Sequence, residues 1–325
     1  MKLVLTGGTG QLGSLLARAL TAAGHAVVVL GRNPQPQPQA WRTVAWDAGR
    51  SLRAGGPLGA WALELDGADA VVNLAGRSVD CRYTKANRRA ILESRVDSTR
   101  AVAAAIAQCE RPPRTWLQAS TATIYAHRFD AGNDEATGVL GGDEPGLPDT
   151  WRFSIDVAKA WEAAAMERAL PRTRRVLLRT AMVMSADRGG VFDVLSKLTR
   201  WGFCGTCGDG RQYVSWIHGE DFVRAIDWLL AHAEVEGPVN VAAPNPLPYA
   251  AFARALRQAW GVRIGLPAPA WLLELGTFVL RTESELVLKS RRVVPGRLLQ
   301  AGFAFQHPEW PAAAGDLVSR SRTRR

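Results

Sequence analysis

The chain opens on a short apolar run, Lys2-Leu3-Val4-Leu5, followed at once by Thr6-Gly7-Gly8-Thr9-Gly10-Gln11-Leu12-Gly13. Leu12, Leu15, Leu16, Ala19 and Leu20 then recur at helical spacing, and Gly24 suits a helix C-cap. His25-Ala26-Val27-Val28-Val29-Leu30 is a second apolar run of strand length, as expected of a parallel strand covered on both faces. The order is strand, glycine turn, helix, strand. Further apolar runs predict strands at 70–74, 115–119, 175–179 and 238–242, and helical periodicity predicts helices at 12–23, 84–108, 152–169, 219–233 and 249–260. Such alternation predicts an α/β fold, a doubly wound parallel sheet of the Rossmann type. After residue 261 the pattern changes. Helices are expected at 270–280 and 284–289, so the chain divides into a Rossmann domain with interleaved segments over 1–260, a small C-terminal helical region over 261–318 and a basic tail over 319–325.

The glycine turn carries the first chemistry. A strand that turns sharply into a helix aims the helix's free N–H groups at an anion, and glycines let backbone approach a pyrophosphate. Gly7, Thr9, Gly10, Gln11, Leu12 and Gly13 are therefore candidate dinucleotide-binding residues. In this fold a carboxylate ending the second strand selects the ribose 2′-OH of NAD, whereas a cation suits a 2′-phosphate. Here that strand ends Leu30-Gly31-Arg32-Asn33 with no acid, so Gly31 and Arg32 point to NADP(H) in preference to NAD(H). Leu74, Ala75 and Gly76, after Asn73, are small or apolar residues that would let the cofactor lie along the strand ends.

Composition narrows the setting. The 325 residues are 47% hydrophobic and 22% charged, with no leader-like segment at the start and no apolar run long enough for a bilayer. Four cysteines make no disulfide framework, so a cytoplasmic location is expected. Cys204 and Cys207 form a C-x-x-C pair without the helix of a redox site or the further ligands of a zinc site, and no metal site is expected. Net charge is +10, and residues 281–325 hold nine Lys/Arg against four Asp/Glu. The tail Ser319-Arg320-Ser321-Arg322-Thr323-Arg324-Arg325 reads as a disordered, solvated end rather than a nucleic-acid arm. The proline-interrupted stretch 33–39 reads as an exposed loop.

With these residues in view, the chain resembles the extended and atypical short-chain dehydrogenase/reductases. Thr6-Gly7-x-x-Gly10-x-x-Gly13, Asn73-Leu74-Ala75-Gly76 and Ser120-Thr121-Ala122-Thr123-Ile124-Tyr125 carry the likeness. Arg82-Tyr83, Ser94-Arg95, Trp161-Glu162, Arg188-Gly189-Gly190, Gly210-Arg211-Gln212, Trp216-Ile217-His218 and the run from Leu266 to Phe303 are similar to one atypical branch, the "epimerase family" proteins with their own C-terminal domain of unknown function. The resemblance implies NADP(H) binding, with Ser120 and Arg95 beside the cofactor, a reading of Arg95 preferred to simple pairing with a surface acid. It also implies a catalytic Ser or Thr, matched by Thr121, and a Tyr-x-x-x-Lys pair. None of Tyr83, Tyr125, Tyr213 and Tyr249 has Lys four residues on. Lys159 is in place only if Ile155 occupies the Tyr position, and Ile transfers no proton. Tyr125 is then the nearest substitute acid, or else a buried aromatic. Gly210, Arg211 and Tyr213 are further candidates for a substrate site. Two readings follow: an oxidoreductase or epimerase of a sugar-like or carbonyl substrate using Thr121, Tyr125 and Lys159, or an NADP(H)-binding regulatory protein with little catalysis.

Overall fold

The computed structural model describes residues 1–32, 40–48, 58–267 and 289–323. Its centre is a seven-stranded sheet. In chain order the strands are β1 (Lys2–Thr6), β2 (Ala26–Gly31), β3 (Arg42–Ala45), β4 (Ala70–Asn73), β5 (Thr115–Thr121), β6 (Arg174–Thr180) and, after three short strands, β10 (Gly237–Val241). They lie side by side as β10-β6-β5-β4-β1-β2-β3, every pairing parallel. Strand order reverses direction next to β1, so a crevice opens at the carboxyl ends of β1 and β4. The short strands β7 (Met182–Met184) and β9 (Trp216–His218) pair with each other, as do β8 (Tyr213–Val214) and β11 (Leu247–Pro248).

Both sheet faces are covered, as the apolar runs require. On β1, Leu3 and Leu5 join Leu16, Leu20, Val27, Val29, Phe222 and Ile226 in one core layer, while Val4 joins Val28, Val71, Val102, Ile106 and Trp116 in the other. This is the period-two alternation of a strand buried on both sides. The first layer is closed by α1 (Gln11–Ala22) and α5 (Gly219–Ala231), the second by α2 (Lys85–Gln108) with α3 (Asp149–Met166) packed along it. A third cluster, around Phe192, Trp216, Phe252, Leu256, Trp310 and Leu317, joins α4 (Val191–Arg200), α6 (Tyr249–Trp260) and α8 (Trp310–Thr323). A one-turn helix, α7 (Gly296–Gln300), lies between α6 and α8 in the chain.

Strand β3 and helices α4, α7 and α8 were not expected from periodicity. The helices expected at 270–280 and 284–289 and the loop at 33–39 fall outside the described residues, apart from Lys289. The C-terminal residues that are described build no separate core. Val293 and Leu298 are fully buried in the clusters of the main body, and Asn133 exchanges backbone bonds with Arg292 and Val294.

The tail also departs from expectation: α8 runs to Thr323. Arg320 pairs with Glu220 and Asp316, and Arg322 lies over the Trp260 ring. Trp310 stacks on Phe252 at 4.1 Å and donates its indole N–H to the Phe252 carbonyl. Local composition argued for a solvated end, but Arg320 is paired with Glu220, 100 residues away in sequence, and with Asp316 one turn back, and an apolar stripe anchors the helix.

Candidate functional site

The glycine turn lies at the head of the crevice. Gly7 is left-handed (φ +70°), and a Cβ there would come within 2.8 Å of Ala75 backbone. A Cβ on Gly13 would stand 2.3 Å from the Gly8 Cα. These two glycines hold the turn against β4 and the helix against the turn. A Cβ on Gly31 would meet Thr9 Cγ2 at 2.6 Å, which keeps the end of β2 on the same turn, with exposed Arg32 next to it. Gly10 is different. It has an ordinary extended backbone (φ −76°), no side-chain cap, and only Gly7 O at 3.4 Å from where its Cβ would be. So Gly10 borders open space in front of the N–H groups of Gln11, Leu12 and Gly13. Gln11 folds toward Gly190, and its buried Nε2 has no partner among the described residues. A free donor and an open, glycine-lined helix start suit phosphate oxygens.

The neighbouring strand ends are set by a buried polar relay. The Thr6 hydroxyl donates to Asn73 Oδ1, which also accepts the Ala75 N–H at 3.1 Å, and Asn73 Nδ2 donates to Gln118 Oε1 at 2.8 Å. All three side chains are fully buried. They fix the Leu74-Ala75-Gly76 segment as a small-residue shelf beside the turn.

Further along β5, a cavity of about 120 Å³ is walled by α2, α3 and the strand end. Thr121 and Thr123 line it from the strand side, Tyr83, Ile91 and Arg95 from the α2 side, and Phe153, Ser154, Val157 and Trp161 from α3. Thr121 Oγ1 accepts the Thr123 N–H at 3.2 Å, which leaves its own proton to give. The Tyr83 and Ser154 hydroxyls are 3.4 Å apart. Arg95 stacks over Trp161 at 5.0 Å and lies against Gly76, and burial lowers its pKa to about 10.

The expected catalytic trio is not brought together. Thr121 lines the cavity, but Tyr125 does not: it is 2% exposed, donates to Asn240 Oδ1 at 2.9 Å and accepts from Arg179 at 3.0 Å. Burial raises the Tyr125 pKa, so the phenol is a held structural group. Ser120, expected at the cofactor, instead donates to Glu162 at 2.6 Å. Glu162 also forms a bidentate pair with Arg179, in which burial opposes the guanidinium charge and the carboxylate restores it. Lys159 is turned from the cavity, with Nζ 3.2 Å from the position of a Gly142 Cβ, and Ile155 is buried against Gly141. The face that α3 presents runs through Ser154, Val157 and Trp161. Ile155 is one residue on and so about 100° further round the helix. Ser154 thus stands on the cavity face in place of the tyrosine that the resemblance implies at position 155.

Tyr83, Thr123, Phe153, Ser154, Trp161 and Arg291 were not singled out as site residues. The i, i+3/i+4, i+7 run Phe153/Ser154, Val157, Trp161 was a usable signal for the α3 members. Arg291 had none, because it arrives from the far end of the chain. Arg211 instead lies over the Phe129 ring, and the Tyr213 ring lies under Arg292, as cation–π partners. Cys204 and Cys207 are buried free thiols, pushed up by burial, Cys207 to about 11, and so poor nucleophiles.

Among the described residues one group could offer metal ligands: His218, Glu220 and His307. Its atoms are committed elsewhere. His218 Nδ1 accepts the Glu220 N–H as a helix cap, and its Nε2 meets Asp316 at 3.1 Å. Glu220 is shared by His307 and Arg320. No helix among the described residues is long and apolar enough to cross a membrane.

Known proteins agree with this architecture. Residues 3–242 match the NAD dependent epimerase/dehydratase family, and 268–317 match a domain of unknown function, DUF1731. The epimerase family protein SDR39U1 of Bos taurus is 31% identical over 98% of this chain and 100% of its own length. Epimerase family protein YfhF of Bacillus subtilis is 31% identical over 99% and 100%. The crystal structure of human SDR39U1 (isoform 2) with NADPH superposes with a TM-score of 0.82 at 29% identity, covering 98% of this chain and 99% of that one. A family match over more than two-thirds of the residues, on a sheet whose order and glycine turn fit it, shows that the chain belongs to the NAD-dependent epimerase/dehydratase family.

Proposed function

We propose that this protein is an NADP(H)-dependent oxidoreductase of a carbonyl or hydroxyl compound, working without the Tyr-x-x-x-Lys pair. The observation that carries the reading is the cavity at the end of β5, lined both by the Thr121 hydroxyl and by the Ser154–Tyr83 hydroxyl pair. The open edge at Gly10, the unpartnered Gln11 Nε2 and the acid-free end of β2 fit a dinucleotide with a 2′-phosphate. The NADPH held by human SDR39U1, a relative of the same fold, supports that choice.

Gln11, Leu12 and Gly13 would hold the pyrophosphate, Arg32 the 2′-phosphate, and Leu74, Ala75 and Gly76 the length of the cofactor. When bound, NADPH supplies a hydride to the substrate carbon and leaves as NADP⁺. The rest falls to the chain. Thr121 donates a hydrogen bond to the carbonyl oxygen, orienting it as charge develops. The oxygen gains its proton from Ser154, which recovers one from the half-buried Tyr83, and solvent returns a proton to Tyr83. In the reverse direction the same hydroxyls take the proton away. Tyr125 and Lys159 have no part in this step, and Tyr125 serves by holding Arg179.

Ile155 and Lys159 lying off the cavity favours a second reading, an NADP(H)-binding regulatory protein with little turnover. One assay separates the two: NADPH oxidation followed optically over a panel of small carbonyl compounds. Turnover is expected, falling about 10²-fold in Thr121→Val and in Tyr83→Phe, since positioned acid–base groups contribute about 10²–10⁴-fold. Tight NADPH binding with no turnover of any carbonyl would establish the regulatory reading instead.

A further inference from the structure

Arg95 is a fixed charge without a counter-charge. Its Nη1 donates to the Ile91 carbonyl one turn back on α2, at 3.1 Å, and to the Arg77 carbonyl at 3.0 Å. The Trp161 ring backs the guanidinium at 5.0 Å. Two carbonyls and a ring thus hold the side chain in one place. Among the described residues no carboxylate pairs with it. The groups that bear on it electrostatically are Tyr83 and Cys81, neither of them an acid of the carboxylate kind, and burial opposes its charge.

Its position gives that charge a use. A Cβ on Gly76 would stand 3.3 Å from Arg95 Cζ, so the guanidinium lies directly against the Leu74-Ala75-Gly76 shelf. Arg95 and Thr121 also line the same cavity at the end of β5. A dinucleotide that runs along the shelf and brings its reacting ring to Thr121 passes this guanidinium. The two redox forms of NADP(H) carry identical phosphates. They differ by one charge, since the nicotinamide ring is cationic in NADP⁺ and neutral in NADPH. A fixed cation beside the ring repels the oxidised form and spares the reduced one, whereas a cation paired with a phosphate would favour both forms alike.

We propose that Arg95 makes the site selective for the reduced cofactor, so that NADPH binds in preference to NADP⁺; this rests on the cofactor placement above and not on hydride transfer. At an effective dielectric constant of about 20, two unit charges about 8 Å apart repel enough to shift an equilibrium about thirty-fold. Water in the open crevice screens part of that, which leaves a preference of about ten-fold. A ten-fold preference sets the potential of the bound two-electron couple about 30 mV above that of the free one. The chain then fills as the NADPH fraction of the pool rises, and NADP⁺ formed in it leaves readily.

The test is calorimetry on the full chain with three ligands: NADPH, NADP⁺ and 2′-phospho-ADP-ribose, which keeps the phosphates and lacks the nicotinamide. NADPH is expected to bind about ten-fold tighter than NADP⁺. In Arg95→Gln the two are expected to agree within about two-fold, while 2′-phospho-ADP-ribose stays within about three-fold of its affinity for the parent. A thermal melt checks the fold, and Arg95→Met takes the place of Arg95→Gln if that variant does not fold. NADP⁺ binding as tightly as NADPH in the parent would overturn the proposal, and so would an unchanged preference in the neutral variant. Loss of 2′-phospho-ADP-ribose in Arg95→Gln would make Arg95 a phosphate ligand and overturn it as well. The two readings fail separately. A ten-fold preference with no carbonyl compound turned over defeats the oxidoreductase and keeps the selectivity. Carbonyl turnover with equal affinity for the two forms defeats the selectivity and keeps the oxidoreductase.

Discussion

Replacing Gly10 by Val separates the turn's role in binding from its role in folding. Gly10 has an extended backbone that valine adopts freely, and its missing Cβ would touch nothing closer than Gly7 O at 3.4 Å. The substitution also restricts the unfolded chain, so stability is expected to stay within about 1 kcal/mol of the parent. The added methyl groups project into the space in front of the α1 N–H groups. If they displace a phosphate from two of those donors, the loss is about 1.5–3 kcal/mol for each charge-assisted bond. Together that is about 3–6 kcal/mol, or roughly 10²–10⁴-fold in Kd. Gly13→Ala is the contrast, since its Cβ would fall 2.3 Å from Gly8 Cα and strike backbone. It is expected to lower stability and binding together. The assay is NADPH titration by fluorescence or calorimetry alongside thermal and urea unfolding of each variant. A Gly10→Val protein that folds normally and binds NADPH within three-fold of the parent would refute the argument, and the turn would then be structural only.

Two further outcomes follow from the same structure. Arg32→Ala is expected to weaken NADPH by about 1–3 kcal/mol and leave NADH nearly unchanged, as for one lost charge-assisted contact; calorimetry showing NADH the tighter ligand of the parent protein would count against it. Burial, with the His307 ring stacked 3.8 Å away, lowers the His218 pKa to about 4, so His218 is neutral in the folded state at pH 7. The unfolded chain binds this proton near pH 6.5 and the folded chain only near 4, so stability falls as pH drops through that window, by up to about 3 kcal/mol. Urea unfolding at pH 7 and 4.5 reads this directly, and His218→Asn, which keeps a helix cap, should show a shallower pH dependence.

Much of the fold was written locally. The run Lys2–Thr6, the glycine turn and the helix after it need only their own sequence, because period-two and period-3.6 apolar patterns and the demand for residues without a Cβ act over a few positions. The Rossmann sheet order and the phosphate-binding face follow from them. The acid-free end of β2 was equally local. The four-residue strand Arg42–Ala45, half-exposed at the sheet edge, carried too little apolar pattern to announce itself.

The cavity was not written that way. Which face of α3 meets β5 depends on about 100° of helix rotation, decided by buried Trp161, whose indole N–H donates to Thr99, and by the pairing of Glu162 with Arg179. One residue of register turns Ile155 and Lys159 away and brings Ser154 in. Tyr125 looked available beside the strand until Asn240 and Arg179, from two other strands, took its hydroxyl. Arg95 and Arg291 are 196 positions apart in the sequence, and only the folded chain makes them two walls of one cavity. Sequence alone determined the backbone frame and the open, glycine-lined start of α1, since those depend on short-range sterics and hydrogen-bond donors. Tertiary structure decided which side chains face the reacting space, since burial and charge pairing there are settled by residues from every part of the chain.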